Sequence, residues 1–299
     1  MMGSVQAEGH AKGINLIVVS HGQANDAFWN VAKNGVGKAA EDMGVAVSYR
    51  APEVYDMVAM SQLLDAAVAQ SPDGIVVTIP DADALGGSIK AAVAAGIPVI
   101  SMNSGSDVYE DLGVLLHVGQ DERPAGVAAG KKLAAMGGKN AICINHEVGN
   151  VALDLRCEGF AEGFGGNVTV VPSSNDSAEI NAKVKAALES DESIDTVLAL
   201  GASTAGEPAL AAIKELGLVG TVNIGTFDMS ANMLEAVAAG EAAFCIDQQQ
   251  FLQGYLPIVF LANLSRYGVL PGGSVPSGPN LITADKAAQV VELAAQGLR

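Results

Sequence analysis

The chain has 299 residues, 49% of them hydrophobic, 16% charged and 4% aromatic, with a mean hydropathy of +0.32 and a net charge of −17. That apolar fraction excludes a disordered or collagen-like chain, and the length suffices for one large domain or two medium ones. The negative charge argues against nucleic acid as a partner and against an anionic membrane surface, and apolar runs such as 258–262 are far shorter than the roughly 18 residues of a membrane span.

Residues 1–13 read as a tail with neither a basic nor an apolar signal region. Met1 to Ser4 look appended to a mature chain, and Val5-Gln6-Ala7 fits the remnant of a processed signal-peptide site. From Ile14 onward, short β-branched runs alternate with helical patterns, as in βα units on a parallel sheet covered on both faces. Residues 14–20 predict a strand, 28–43 a helix closed by Gly44, 45–50 a strand and 58–70 a helix. A buried strand at 73–80, a helix at 82–96 and a strand at 97–103 complete a doubly wound half. The pattern then recurs about 120 residues later, with strands at 139–145, 168–174, 195–201 and 221–228 and helices at 151–164, around 179–189 and at 207–217.

This repeat predicts an α/β fold of two Rossmann-like lobes with parallel sheets. A strand at 242–250 and a helix at 251–268 suggest that the chain returns to the first lobe, so several short crossings form a hinge. Pro271 to Pro279 reads as surface loop. The expected division is 14–103 plus 249–277 for one lobe and 104–248 plus 278–299 for the other. Cys143, Cys157 and Cys245, odd in number and without CxxC spacing, read as buried free thiols, with one disulfide left open. His10, His21, His117 and His146 form no HExxH motif, and no metal or cofactor is expected.

Ligands of open parallel sheets bind beyond the carboxyl ends of the strands, so two facing lobes would clamp one between those edges. The first such loop carries Ser20, His21, Gln23 and Asp26, followed by Phe28 and Trp29, the only tryptophan. Asn103 ends the fourth strand, Arg156 lies one turn into a second-lobe helix, and Asp228 and Gln248 end later strands. Each has a structural alternative: Asp26 as a helix N-cap, Phe28 or Trp29 as core, Arg156 paired with Asp154 or Glu158, Asp228 and Gln248 as caps. Together, carboxylates, amides and one arginine beside an aromatic platform suit a neutral polyhydroxylated ligand, whose hydroxyls both donate and accept. There is no GxxxxGK[ST] cradle, Gly35-Val36-Gly37 lies inside a helix, and no GxSxG elbow is present, so nothing demands an enzyme.

NDAFW, DGIVVTIPDADAL, AAGIPVISMNS, LRCEGF, IGTFD and DQQQFLQGY, in order across residues 14–291, resemble the ribose-binding-protein-like family of periplasmic sugar receptors. The resemblance implies a type I periplasmic binding protein fold with a three-segment hinge, closing on a monosaccharide or related polyol. It also implies a monomer in the periplasm that docks to an inner-membrane ABC permease, with a chemoreceptor as a further partner class. Carried residue by residue, the platform falls on Phe28 and Trp29, with polar contacts from Asp26, Asn103, Arg156, Asp228 and Gln248. Asn175 is a weaker match, and Ser20, His21 and Gln23 lie in the corresponding loop. Asn103-Ser104 stands where the family often has Asp-Arg, and Ala202-Ser203-Thr204 where it often has Asn-Asp. Those departures weigh against ribose or glucose and leave a smaller sugar, an alditol, a deoxy sugar or an autoinducer-2-like furanose open. Two other functions compete: the sensing core of a lactose-repressor-type regulator, and an α/β enzyme using His21, Asp26 or Asp228 as acid–base groups.

Overall fold

The computed structural model describes residues 13–22 and 26–299. The first lobe contains β1 (Asn15–Val19), α1 (Ala27–Met43), β2 (Ala46–Arg50), α2 (Met57–Val68), β3 (Gly74–Val77), α3 (Ala82–Ala94), β4 (Val99–Met102) and β5 (His117–Gly119). The second contains α4 (Glu122–Ala135), β6 (Asn140–Asn145), α5 (Val151–Phe164), β7 (Asn167–Pro172), α6 (Ser177–Ser190) and β8 (Thr196–Ala199). A π-helical turn (Ala202–Gly206) follows, then α7 (Glu207–Glu215), β9 (Asn223–Phe227), α8 (Ala231–Ala238) and β10 (Phe244–Asp247). The chain then supplies α9 (Gln250–Tyr267) and β11 (Val275–Pro276) to the first lobe, and β12 (Asn280–Ile282) and α10 (Ala284–Ala295) to the second.

The sheets run β11-β5-β4-β3-β1-β2 and β12-β10-β9-β8-β6-β7, so the two lobes share one strand order. All neighbours are parallel except β10 and β12. The continuous apolar runs follow from burial on both faces. In β1, Leu16 and Val18 enter one core cluster and Ile17 and Val19 the other, and in β6, Ala141 and Cys143 oppose Ile142 and Ile144 in the same way.

Helix starts follow short acceptors, with Asp26, Asp56, Asp81, Asn150, Asp176 and Ser230 each accepting a first-turn backbone N–H. Some glycines inside helices serve close packing. A Cβ on Gly35 would lie 2.1 Å from the Phe251 carbonyl oxygen, and one on Gly159 2.1 Å from that of Arg123. Thus α1 packs on α9, and α5 on α4, backbone against backbone, which accounts for Gly35 lying within a helix.

Three sequence expectations need correction. His117–Gly119 pairs with β4, so residues 104–119 stay with the first lobe, and the first crossing falls at 120–121 instead of after 103. The expected loop at 271–279 contains β11, paired with β5. Cys143 and Cys157 form a disulfide that ties α5 to β6, with Cα atoms 5.9 Å apart, leaving Cys245 as the buried free thiol. No helix among the described residues is long and apolar enough to cross a membrane.

Candidate functional site

The repeat brings the carboxyl ends of both sheets face to face, and the residues after the strands line one cavity, with about 350 Å³ between its atoms when its opening to solvent is included. Asn103 after β4 and Asp228 after β9 occupy matching places in the two lobes, and both adopt φ of 65°, a left-handed conformation that asparagine and aspartate tolerate better than other side chains.

The first lobe contributes an aromatic wall. The Trp29 ring meets His21 edge-on at 4.8 Å and Phe28 at 5.0 Å, and Gly22 makes room for it, since a Cβ there would lie 2.0 Å from the indole. Phe28 and Trp29 therefore line the cavity and also join the apolar cluster behind it. Asp26 both caps α1, accepting the Phe28 N–H at 2.9 Å, and faces the cavity. Burial raises its carboxyl above the usual range, against the pull of that N–H and of the Ser203 hydroxyl from the other lobe. The His21 ring meets the Thr78 hydroxyl through Nδ1 at 2.8 Å, and burial holds its pKa at about 3. It is therefore neutral, and its 3.8 Å approach to Glu147 is not an ion pair.

The second lobe contributes charge. Arg156 is not paired with Asp154 or Glu158. It grips Glu122 at the start of α4, with Nε to Oε2 at 2.6 Å and Nη2 to Oε1 at 2.9 Å, and Nη1 donates to the Leu200 carbonyl at 3.1 Å. The guanidinium also lies 4.5 Å over the Phe227 ring. Burial pushes Asp228 up to about 7 despite nearby Arg156, and pushes Glu147 up to about 7 despite the hydrogen bond from Asn150 at 2.8 Å. Such carboxylates gain from ligand groups that donate hydrogen bonds.

The hinge closes the rear of the site. Gln248 donates to Asp228 at 2.5 Å, Asn103 donates to Gln253 at 3.2 Å, and Gln253 donates to Gln248 Oε1 and to Ser277 Oγ, each at 3.0 Å. At the front, the Val151 N–H of one lobe donates to the Pro80 carbonyl of the other at 3.0 Å, so the lobes are closed.

Of the residues singled out from sequence, His21, Asp26, Phe28, Trp29, Asn103, Arg156, Asp228 and Gln248 line this cavity. Ser20 does not; its hydroxyl meets that of Tyr49 at 2.7 Å. Asn175 lines a neighbouring cavity, and Gln23 lies outside the described residues. Sequence reasoning missed His146, Glu147, Asn150 and Glu122. The first two follow β6 as Ser20 and His21 follow β1, so the repeat itself pointed to them. No three His, Cys, Asp or Glu side chains among the described residues gather as a metal-binding group.

A family model described as a periplasmic binding protein domain matches residues 16–268. The xylose/arabinose-binding protein XylF of Sulfolobus acidocaldarius is 24% identical over 286 residues, covering 90% of this chain and 70% of the relative. The fructose import binding protein FruE of Bifidobacterium longum is 25% identical over 233 residues, 74% of this chain and 70% of that one. Among solved structures, a carbohydrate transporter from Acidothermus cellulolyticus in complex with myo-inositol superposes with a TM-score of 0.91 at 33% identity, covering 96% of this chain and 100% of the other.

Proposed function

Because the chain belongs to the periplasmic binding protein family, we propose that it is the extracytoplasmic receptor of an ABC importer and clamps a single-ring polyol, a monosaccharide or cyclitol, between its lobes by hinge closure. One observation carries the reading. Asp26 and Asn103 from the first lobe, Glu147, Arg156 and Asp228 from the second, and Gln248 from the hinge surround one cavity beside Trp29. Hydroxyls donate to the carboxylates and amide oxygens and accept from the amide and guanidinium N–H groups, while a ring C–H face lies on the aromatic wall. Ligand contacts from both lobes favour the closed state over the open one, and that difference drives closure.

The complexed carbohydrate transporter makes myo-inositol the first ligand to test. The disulfide fits a chain that works outside the cytoplasm, where such bonds persist. We read the protein as a monomeric carrier without chemistry on its ligand, delivering it to a membrane permease. Calorimetry across pentoses, hexoses, alditols and inositols tests this: a ligand should bind and be recovered unmodified. Asp228→Asn should weaken that binding by about 1.5–3 kcal/mol, the contribution of a charge-assisted hydrogen bond. Silence across the panel defeats the proposal, and recovery of a converted product shows an enzyme instead.

A further inference from the structure

Beside this inner cavity, and sharing His146 and Glu147 with it, a second cavity opens at the cleft mouth, with about 830 Å³ between its atoms when the mouth is included. Val54 and Tyr55, from the segment after β2, face Val148 and Asn175 of the other lobe across it. Glu147, Ser174 and Asp176 of its lining already have partners, but other polar atoms there are unspent. Tyr55 Oη, His146 Nδ1 and Asn175 Oδ1 are each buried without a hydrogen-bond partner among the described residues, and the whole His146 residue is only 7% exposed. Native proteins seldom leave such atoms unpaired, because each costs free energy until something pairs with it. Val54 and Val148, each 62% exposed, supply apolar surface on opposing lips. No lysine or arginine among the described residues lines the space, so those residues offer no counter-charge to a phosphate or carboxylate.

Unpaired donors and acceptors between apolar lips are what a hydroxylated ring fills. We propose that this cavity is an outer subsite for a second sugar ring, joined through a glycosidic bond to the ring held in the inner cavity, so that glycosylated polyols or disaccharides belong to the ligand range. The proposal rests on the inner cavity binding a single polyol ring. Glu147, lining both spaces, sits at the junction and accepts from a hydroxyl beside the linkage.

Calorimetry with myo-inositol, glucose and galactose, and with α- and β-linked glucosyl and galactosyl derivatives of each, tests it on the wild type and on Tyr55→Phe and Val54→Gly. At least one two-ring ligand should bind tenfold or more tighter than its parent ring. Both substitutions should remove most of that gain while changing single-ring affinity less than twofold. The inference is overturned if single rings bind but no two-ring ligand gains threefold, or if the variants weaken both kinds equally. Absence of binding by every single-ring and two-ring ligand would instead defeat the reading of the inner cavity.

Discussion

Replacing Glu122 by Gln tests the electrostatic core of the second lobe. Glu122 and Arg156 are 2% and 4% exposed, so solvent screens their interaction little. Glu122 Oε2 also accepts from Gln120 at 2.8 Å, so the carboxylate takes three donors: Arg156 Nε, Arg156 Nη2 and Gln120 Nε2. An amide fills the same space but offers one acceptor oxygen in place of two. Whichever way it turns, an N–H faces an N–H and the guanidinium stays buried without its counter-charge. Breaking a buried pair from one side costs about 3–5 kcal/mol, a large share of the 5–15 kcal/mol that typically holds a domain folded. Urea unfolding followed by circular dichroism should show that loss. The double variant Glu122→Gln/Arg156→Met removes the stranded charge and should recover part of it, giving a coupling of about 2–3 kcal/mol across the cycle. A loss below about 1 kcal/mol in the single variant, or strict additivity in the double, would refute the assignment of Arg156 to Glu122.

Asp228→Asn should alter stability in a pH-dependent way. The folded carboxyl titrates at about 7 and an unfolded one at about 4, so the native state holds a proton that the unfolded chain has lost, and wild-type stability falls as pH rises between those values. The ligand-free variant should therefore gain on the wild type progressively from pH 4 to 7, by a few kcal/mol, and then level off; a pH-independent difference in urea midpoints would count against it. Removing the Cys143–Cys157 disulfide, which joins residues 14 apart, should cost about 3 kcal/mol. Thiol titration of denatured, unreduced protein should find one group, Cys245, and a count of three would disprove the pairing. Gly159→Ala forces a Cβ against the Arg123 carbonyl and should lower stability by at least about 1–3 kcal/mol by calorimetry, while an unchanged melting temperature would mean the helices stand further apart.

The two-lobed architecture was legible because residues 75–77 and 197–200 are unbroken apolar runs and their surroundings recur in order. Much of the cleft was legible for the same reason, since strand ends mark it and Asn103, Asp228 and Gln248 stand there. His146 and Glu147 stand in an equivalent place after β6, and that position is what marks them in the sequence. Glu122 gave no local signal, because its partner lies 34 residues away and is selected by the packing of α4 on α5. The disulfide was hidden similarly: Cys157 faces β6 only through the register of α5. β5, three residues long, was too short to show a period, and its misplacement moved the first crossing.

The backbone contacts within the helix pairs bear on how closure is transmitted. Where α1 meets α9 and α4 meets α5 without an intervening layer of side chains, there is nothing soft to compress and no rotamer to exchange, so each lobe resists internal deformation. Any closing motion of the kind proposed would then fall at residues 120–121, 248–249 and 277–279, where the chain passes between the lobes. A membrane partner of such a molecule would sense ligand as a change of spacing between two unyielding surfaces, much as a gauge reads calliper jaws, and would need no access to the bound ring.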